Sequence, residues 1–159
     1  MPIVSLRDFL GCGRFGSISL GADRRALGNT FGQPEDVDRQ SVKAQRLPAI
    51  MKYGDVDFHF RPDTGLMWLI NLDRFSGPGR EPVGWGGCQI DAWVIKEGMP
   101  RAGLERELVR AALPYFLEPK PELLQERIVL PSGVEVGFTI DEGRPHGLAF
   151  VSFCLTRRS

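Results

Sequence analysis

Apolar and polar residues alternate between Val56 and Phe60, which is the pattern of a β-strand with one buried face. The alternation places the three apolar side chains on one face, namely Val56, Phe58 and Phe60. Gly54-Asp55 supplies turn residues just before this strand and predicts a tight hairpin with a strand at about 48–53. We expect the opposite face to carry the polar residues Tyr53, Asp55, Asp57 and His59.

Helical periodicity precedes this hairpin. Apolar residues recur at helix spacing from Ala22 to Phe31, and Gly32-Gln-Pro34 ends the pattern. A second helix is predicted with its apolar positions from Leu104 to Leu113, with Pro100 tolerated in its first turn and Pro114 behind it. A third strand is predicted at 65–72.

The order of helix, hairpin and strand occurs twice. The second helix lies 77 residues after the first, the second hairpin (strands at 126–130 and 131–138) at an offset of 78, and the second closing strand (147–154) at 82. Three matches in the same order indicate an internal repeat. We therefore predict an α+β fold made of two tandem helix-plus-antiparallel-sheet units, the first at 1–75 and the second at 95–159. A Gly/Pro-rich segment at 76–94 lies between them and leads through a short strand into the second helix.

Composition narrows the function classes. Among the 159 residues, 20 Lys and Arg balance 20 Asp and Glu, so no global positive charge attracts nucleic acid or an anionic membrane. No apolar run approaches the ~20 residues that a spanning helix needs, and we identify no export signal. The three cysteines are odd in number and far apart, which favours a reducing cytoplasm.

Candidate chemistry is sparse. Gly11–Gly16 matches the G-x-G-x-x-G phosphate-binding pattern, but its context favours a flexible loop over a nucleotide site. Neither His59 nor His146 has a recurring metal-ligand spacing, so no metal or cofactor is predicted. A small hydrolase or ligand-binding protein that uses a cleft between the units is the alternative function, with Asp57, His59 and Cys88 as its chemistry.

The residues around the first helix carry a family resemblance. Ile18-x-Leu20-Gly21 is followed by Leu27-Gly28 and by Pro34-Glu35-Asp36-Val37. This series resembles the signature of the β-lactamase inhibitor protein fold, which also includes the small outer-membrane assembly lipoproteins of the SmpA/OmlA type. The resemblance implies two tandem units and a non-catalytic protein that binds another protein, as an inhibitor does. The stretch 52–60 also resembles the hairpin of bacterial toxin-immunity proteins.

We therefore expect one exposed sheet face to bind a partner protein and block it. Tyrosine, tryptophan, arginine and aspartate are typical of interface hot spots. Trp68 can equally be a core residue or a residue of this face. Trp85 is either an exposed anchor or a plug between the units. The oligomeric state stays open. The predicted partner-binding residues are Tyr53, Asp55, Asp57, His59, Trp68, Asp73 and Trp85.

Overall fold

A computed structural model describes residues 1–73, 81–82, 84–121, 125–140 and 148–156 of the chain, with the backbone alone at 73, 140 and 148–156. Within these residues, four helices and ten strands form an α+β fold, as the sequence predicts. The helices are α1 (Leu6–Cys12), α2 (Arg24–Phe31), α3 (Arg39–Lys43) and α4 (Arg101–Arg110). The strands are β1 (Ile3–Ser5), β2 (Asp36–Val37), β3 (Ile50–Tyr53), β4 (Val56–Phe60), β5 (Met67–Asp73), β6 (Gln89–Asp91), β7 (Phe116–Lys120), β8 (Gln125–Val129), β9 (Val134–Ile140) and β10 (Leu148–Thr156).

Eight of these strands form one antiparallel sheet in the order β2-β3-β4-β5-β10-β9-β8-β7. Strands β2 to β5 follow one another along one half of the sheet, and β7 to β10 do the same along the other half. The two last strands meet in the middle, where Leu69 pairs with Thr156 and Asp73 with Ser152. The remaining strands, β1 and β6, pair in parallel outside this sheet. The resemblance to the inhibitor fold stays a prediction.

The predicted hairpins and closing strands are confirmed. The first hairpin turns at Gly54, whose φ of +57° suits glycine, and it places Tyr53 directly opposite Val56. Directly opposed residues in an antiparallel pair point to the same face of the sheet. Tyr53 therefore lies on the buried face with Val56, and the prediction that it faces outward is wrong. Its hydroxyl donates a hydrogen bond to the Gly32 carbonyl oxygen at 2.9 Å.

Both predicted helices are present and pack on the same side of the sheet. Helix α2 begins after Asp23, whose carboxylate accepts a hydrogen bond from the Ala26 N–H at 2.7 Å. Its buried residues are Leu27 and Phe31. Helix α4 begins after Pro100, has no side-chain cap and buries Leu104 and Leu108. It ends at Arg110, three residues earlier than predicted.

One hydrophobic core joins both halves of the sheet to these helices. Phe15 is at the centre of its aromatic part, with ring centroids 5.6 Å from Phe9, 6.0 Å from Phe31 and 5.7 Å from Phe58. Residues of the other half, including Phe138, belong to the same core. Offset and edge-to-face contacts of this kind are the favoured arrangements of aromatic rings.

The predicted linker 76–94 contains part of this core. Trp85 is 7% exposed and lies 5.2 Å from Phe31 and 5.3 Å from Tyr53, measured between ring centroids. A Cβ at Gly87 would lie 2.4 Å from the Phe31 carbonyl oxygen, so only glycine permits this close approach. Trp85 is therefore a plug in the core and not an exposed anchor. Residues 76–80 and 83 of the segment lie outside the described residues.

The N-terminal segment also differs from the prediction. Residues 6–12 form helix α1, capped by the Ser5 hydroxyl, which accepts a hydrogen bond from the Asp8 N–H. Gly13 ends the helix in the left-handed conformation, with its N–H donating to the Phe9 carbonyl oxygen at 2.8 Å. The first glycines of Gly11–Gly16 therefore close a helix instead of forming a flexible loop. A phosphate-binding glycine turn has to open a helix, and this one does not.

Candidate functional site

The eight-stranded sheet has one face packed on α2, α4 and the core, and an opposite face that we call the outer face. Val56, Phe58 and Phe60 are 0–1% exposed, whereas the intervening Asp57 and His59 are half-buried. Cross-strand partners extend the outer face along the sheet. Its described side chains include Ile50, Lys52, Asp57, His59, Leu69, Asn71, Glu118, Lys120, Arg127, Glu135 and Thr139.

A β-bulge adds Trp68 to this face. The register of β4 and β5 shifts between His59, which pairs with Leu69, and Phe60, which pairs with Met67. The extra residue, Trp68, has no direct partner on β4, and a bulge of this kind redirects a side chain. The Trp68 ring meets the His59 ring edge to face, with their centroids 6.0 Å apart. Both rings are half-buried.

Arg61 completes a cluster with these rings. Its guanidinium carbon lies 5.9 Å from the centroid of the Trp68 ring, within cation–π range. Arg61 is exposed and follows β4 directly, two residues after His59. Tryptophan and arginine are the side chains most enriched at the energetic centres of protein interfaces. We call His59, Arg61 and Trp68 the aromatic cluster.

Acidic side chains lie beside this cluster. Asp57 lines a hollow of about 150 Å³ together with Asp36, Asp38 and Lys52. Burial acts to raise the pKa of Asp38, but its hydrogen bonds outweigh this effect and lower the pKa to about 2. Two of these bonds come from the N–H groups of Ser41 at 2.9 Å and Ile50 at 3.0 Å. Asp38 therefore carries a negative charge throughout the physiological pH range.

The other half of the outer face is held by an ion pair. Arg127 of β8 donates a hydrogen bond to the Glu135 carboxylate of β9 at 2.6 Å, and Glu135 is 7% exposed. Lys120 and Glu118 form a second pair along β7 at 3.0 Å. Phe116 of the same strand is 52% exposed. This end of the outer face therefore carries two ion pairs beside an exposed aromatic ring.

The structure brings together three of the seven predicted partner-binding residues. Asp57, His59 and Trp68 share the outer face, and Asp55 lies half-buried in the adjoining turn. Tyr53 and Trp85 are core residues, so neither contributes to an exposed docking surface. The side chain of Asp73 lies outside the described residues. The sequence analysis missed Arg61, although the alternation of β4, continued by one residue beyond Phe60, indicates it.

The alternative catalytic set does not assemble. Cys88 is 1% exposed and packs in the core, whereas Asp57 and His59 lie on the outer face of the sheet. Burial raises the pKa of the Cys88 thiol to about 11, so the thiol stays protonated and is a poor nucleophile at neutral pH. His146 lies outside the described residues. Within the described part of the chain, no group of His, Cys, Asp and Glu side chains can hold a metal ion.

Comparisons with known proteins give no relative. No model of a known family matches the sequence, and no match was found among the curated proteins or the solved structures. The longest of the described helices, α4, has ten residues, and none in the described ranges has the length and apolar character that crossing a membrane requires.

Proposed function

We propose that the protein binds another protein through its outer face and acts by occluding that partner, without catalysis. The observation that carries the proposal is the aromatic cluster of His59, Arg61 and Trp68 on the sheet face opposite α2 and α4. A tryptophan in contact with a histidine and an arginine offers a large amphipathic surface at low entropic cost. An inhibitor or immunity protein of the cytoplasm is the functional class that we propose.

The charges beside the cluster suggest which partner surface fits. Asp36, Asp38 and Asp57 line one hollow, and Lys52 is the single cation among the described residues that line it. The low pKa of Asp38 keeps its carboxylate ionised. A partner that presents arginine or lysine side chains here gains electrostatic attraction, which mainly raises the association rate and the specificity. A protein with a basic active site or surface groove meets this condition.

Affinity capture from the native host with matched variants tests the proposal. The double variant Arg61→Ala/Trp68→Ala removes two members of the cluster, whereas Val109→Ala shortens a side chain that is 68% exposed on α4. We expect a protein that is retained by the wild type and by the Val109 variant but lost with the double variant. Loss of one or two hot-spot contacts weakens binding by about 2–4 kcal/mol. Equal retention by all three proteins contradicts docking through the outer face.

A further inference from the structure

A depression of about 830 Å³ lies beside the N-terminal helix, away from the outer face. Such a volume is typical of sites for small organic molecules. Helix α1 buries Leu6, Phe9 and Leu10 in the core and turns its other side to the depression. The lining residues are Ile3, Ser5, Arg7, Asp8, Gly11, Cys12, Arg14, Gly16, Ser17 and Leu113.

The fold places two arginines on this depression from different elements. Arg7 lies in the first turn of α1, one turn before Gly11 on the same side of the helix. Arg14 follows Gly13, whose left-handed conformation reverses the chain at the end of the helix. In the described part of the structure, neither guanidinium has a hydrogen-bond or ion-pair partner. Two free guanidinium groups on one depression form a ready site for an oxyanion.

A tight turn that contains Gly16 lies at the rim of the depression. Phe15 and Ile18 exchange two backbone hydrogen bonds, of 2.8 and 3.1 Å, across a turn formed by Gly16 and Ser17. The φ of Gly16 is +62°, and a Cβ there would meet the Val4 side chain at 3.0 Å. A side chain at this position is therefore disfavoured, and the turn requires glycine here.

The charge and the walls define the class of ligand. Among the described residues that line the depression, Asp8 is the one acidic residue, so together with Arg7 and Arg14 these residues carry one net positive charge. Ile3 and Leu113 add apolar surface at its sides. We propose that the depression binds a small organic carboxylate, with its singly charged carboxylate on the arginines and an apolar body against these walls. The site is independent of the outer face.

Titration of the full-length protein with 4-phenylbutyrate, followed by backbone amide NMR, tests this site. We expect saturable shifts at the amides of Gly11 and Gly16, and no such shifts with the neutral analogue 4-phenyl-1-butanol. Arg7→Ala or Arg14→Ala should weaken binding about tenfold, the effect of losing one charged hydrogen bond. Arg14→Lys should lose less affinity for 4-phenylbutyrate than Arg14→Ala, because lysine keeps the positive charge. Arg25→Ala, an exposed arginine on α2, is the matched control.

Three results overturn the proposal. Equal shifts with the alcohol show that the arginines do not recognise the anion. Unchanged affinity in both the Arg7 and the Arg14 variants shows that the ligand binds elsewhere. Tighter binding of phenyl phosphate than of 4-phenylbutyrate rejects a singly charged carboxylate as the ligand. The arginines are exposed, so these variants should keep the fold, and their dispersed amide spectra verify this.

Discussion

Replacing Trp85 by alanine should destabilise the protein by about 3–5 kcal/mol, as expected for a buried tryptophan. The side chain is 7% exposed, and its indole contacts the rings of Phe15, Phe31 and Tyr53. An aromatic side chain buries on the order of 200 Å², worth roughly 5 kcal/mol at ~25 cal/mol per Å². The alanine methyl retains a part of this burial. The indole N–H also donates a hydrogen bond of 3.4 Å to the Phe31 carbonyl oxygen.

Urea unfolding followed by far-UV circular dichroism measures this cost without relying on tryptophan fluorescence. Trp68→Ala is the matched control, because the same residue type is half-buried on the outer face. We expect it to cost about 1 kcal/mol or less, as for most surface changes. Trp85→Phe keeps a ring in the core, so its loss of stability should lie between those of the two alanine variants. The reasoning is refuted if Trp85→Ala costs no more stability than Trp68→Ala, since Trp85 would then belong to a linker, as the composition of the segment 76–94 suggests.

Three further predictions concern individual residues. Gly87→Ala should destabilise the protein by about 2 kcal/mol or more in the same urea assay, because its Cβ meets the Phe31 carbonyl oxygen; an unchanged midpoint contradicts this packing. Asp38→Ala should cost on the order of 1 kcal/mol after allowance for solvent screening. Folding lowers the pKa of Asp38 to about 2, so the loss of stability in the variant should be complete above pH ~4 and should disappear as the pH falls towards 2. A loss of stability that persists at the lowest pH argues against the hydrogen-bonded carboxylate. Iodoacetamide should modify the exposed Cys12 of the native protein much faster than the buried Cys88, as peptide mass spectrometry can show; equal rates contradict the burial of Cys88.

Local patterns predicted the strands and helices well where one face is buried. The alternation at Val56–Phe60 corresponds to β4. Helix α2 begins after Asp23 and ends before Gly32, and both residue types favour helix ends. Alternation that is continued straight across a two-residue turn places Tyr53 on the wrong face. Residues on either side of such a turn face each other, so Tyr53 shares the face of Val56.

Local patterns do not predict the contacts between segments that are distant in the sequence. Trp85 lies among glycines, and its burial depends on Phe15 and Phe31, which are more than fifty residues away. Strand β1 is three residues long and pairs with β6 across 86 positions, so β1 has no local signal. The short strand predicted ahead of the second helix, at 90–95, coincides with β6 only at 90–91. Two residues of the aromatic cluster, His59 and Trp68, are predicted from the sequence, whereas Arg61 is not. Trp68 stays open between core and surface at that point, because it reaches the outer face through a bulge that no periodicity indicates.

Photo-cross-linking from defined positions tests docking through the outer face most directly. Benzoylphenylalanine can replace Lys52 or Asn71 on the outer face, or Val109 on helix α4, in protein expressed in its host. We predict that one partner protein is cross-linked from both outer-face positions, that it is not cross-linked from Val109, and that Arg61→Ala/Trp68→Ala abolishes the product. Cross-linking of the partner from Val109 alone, or a product that survives the double substitution, contradicts the account.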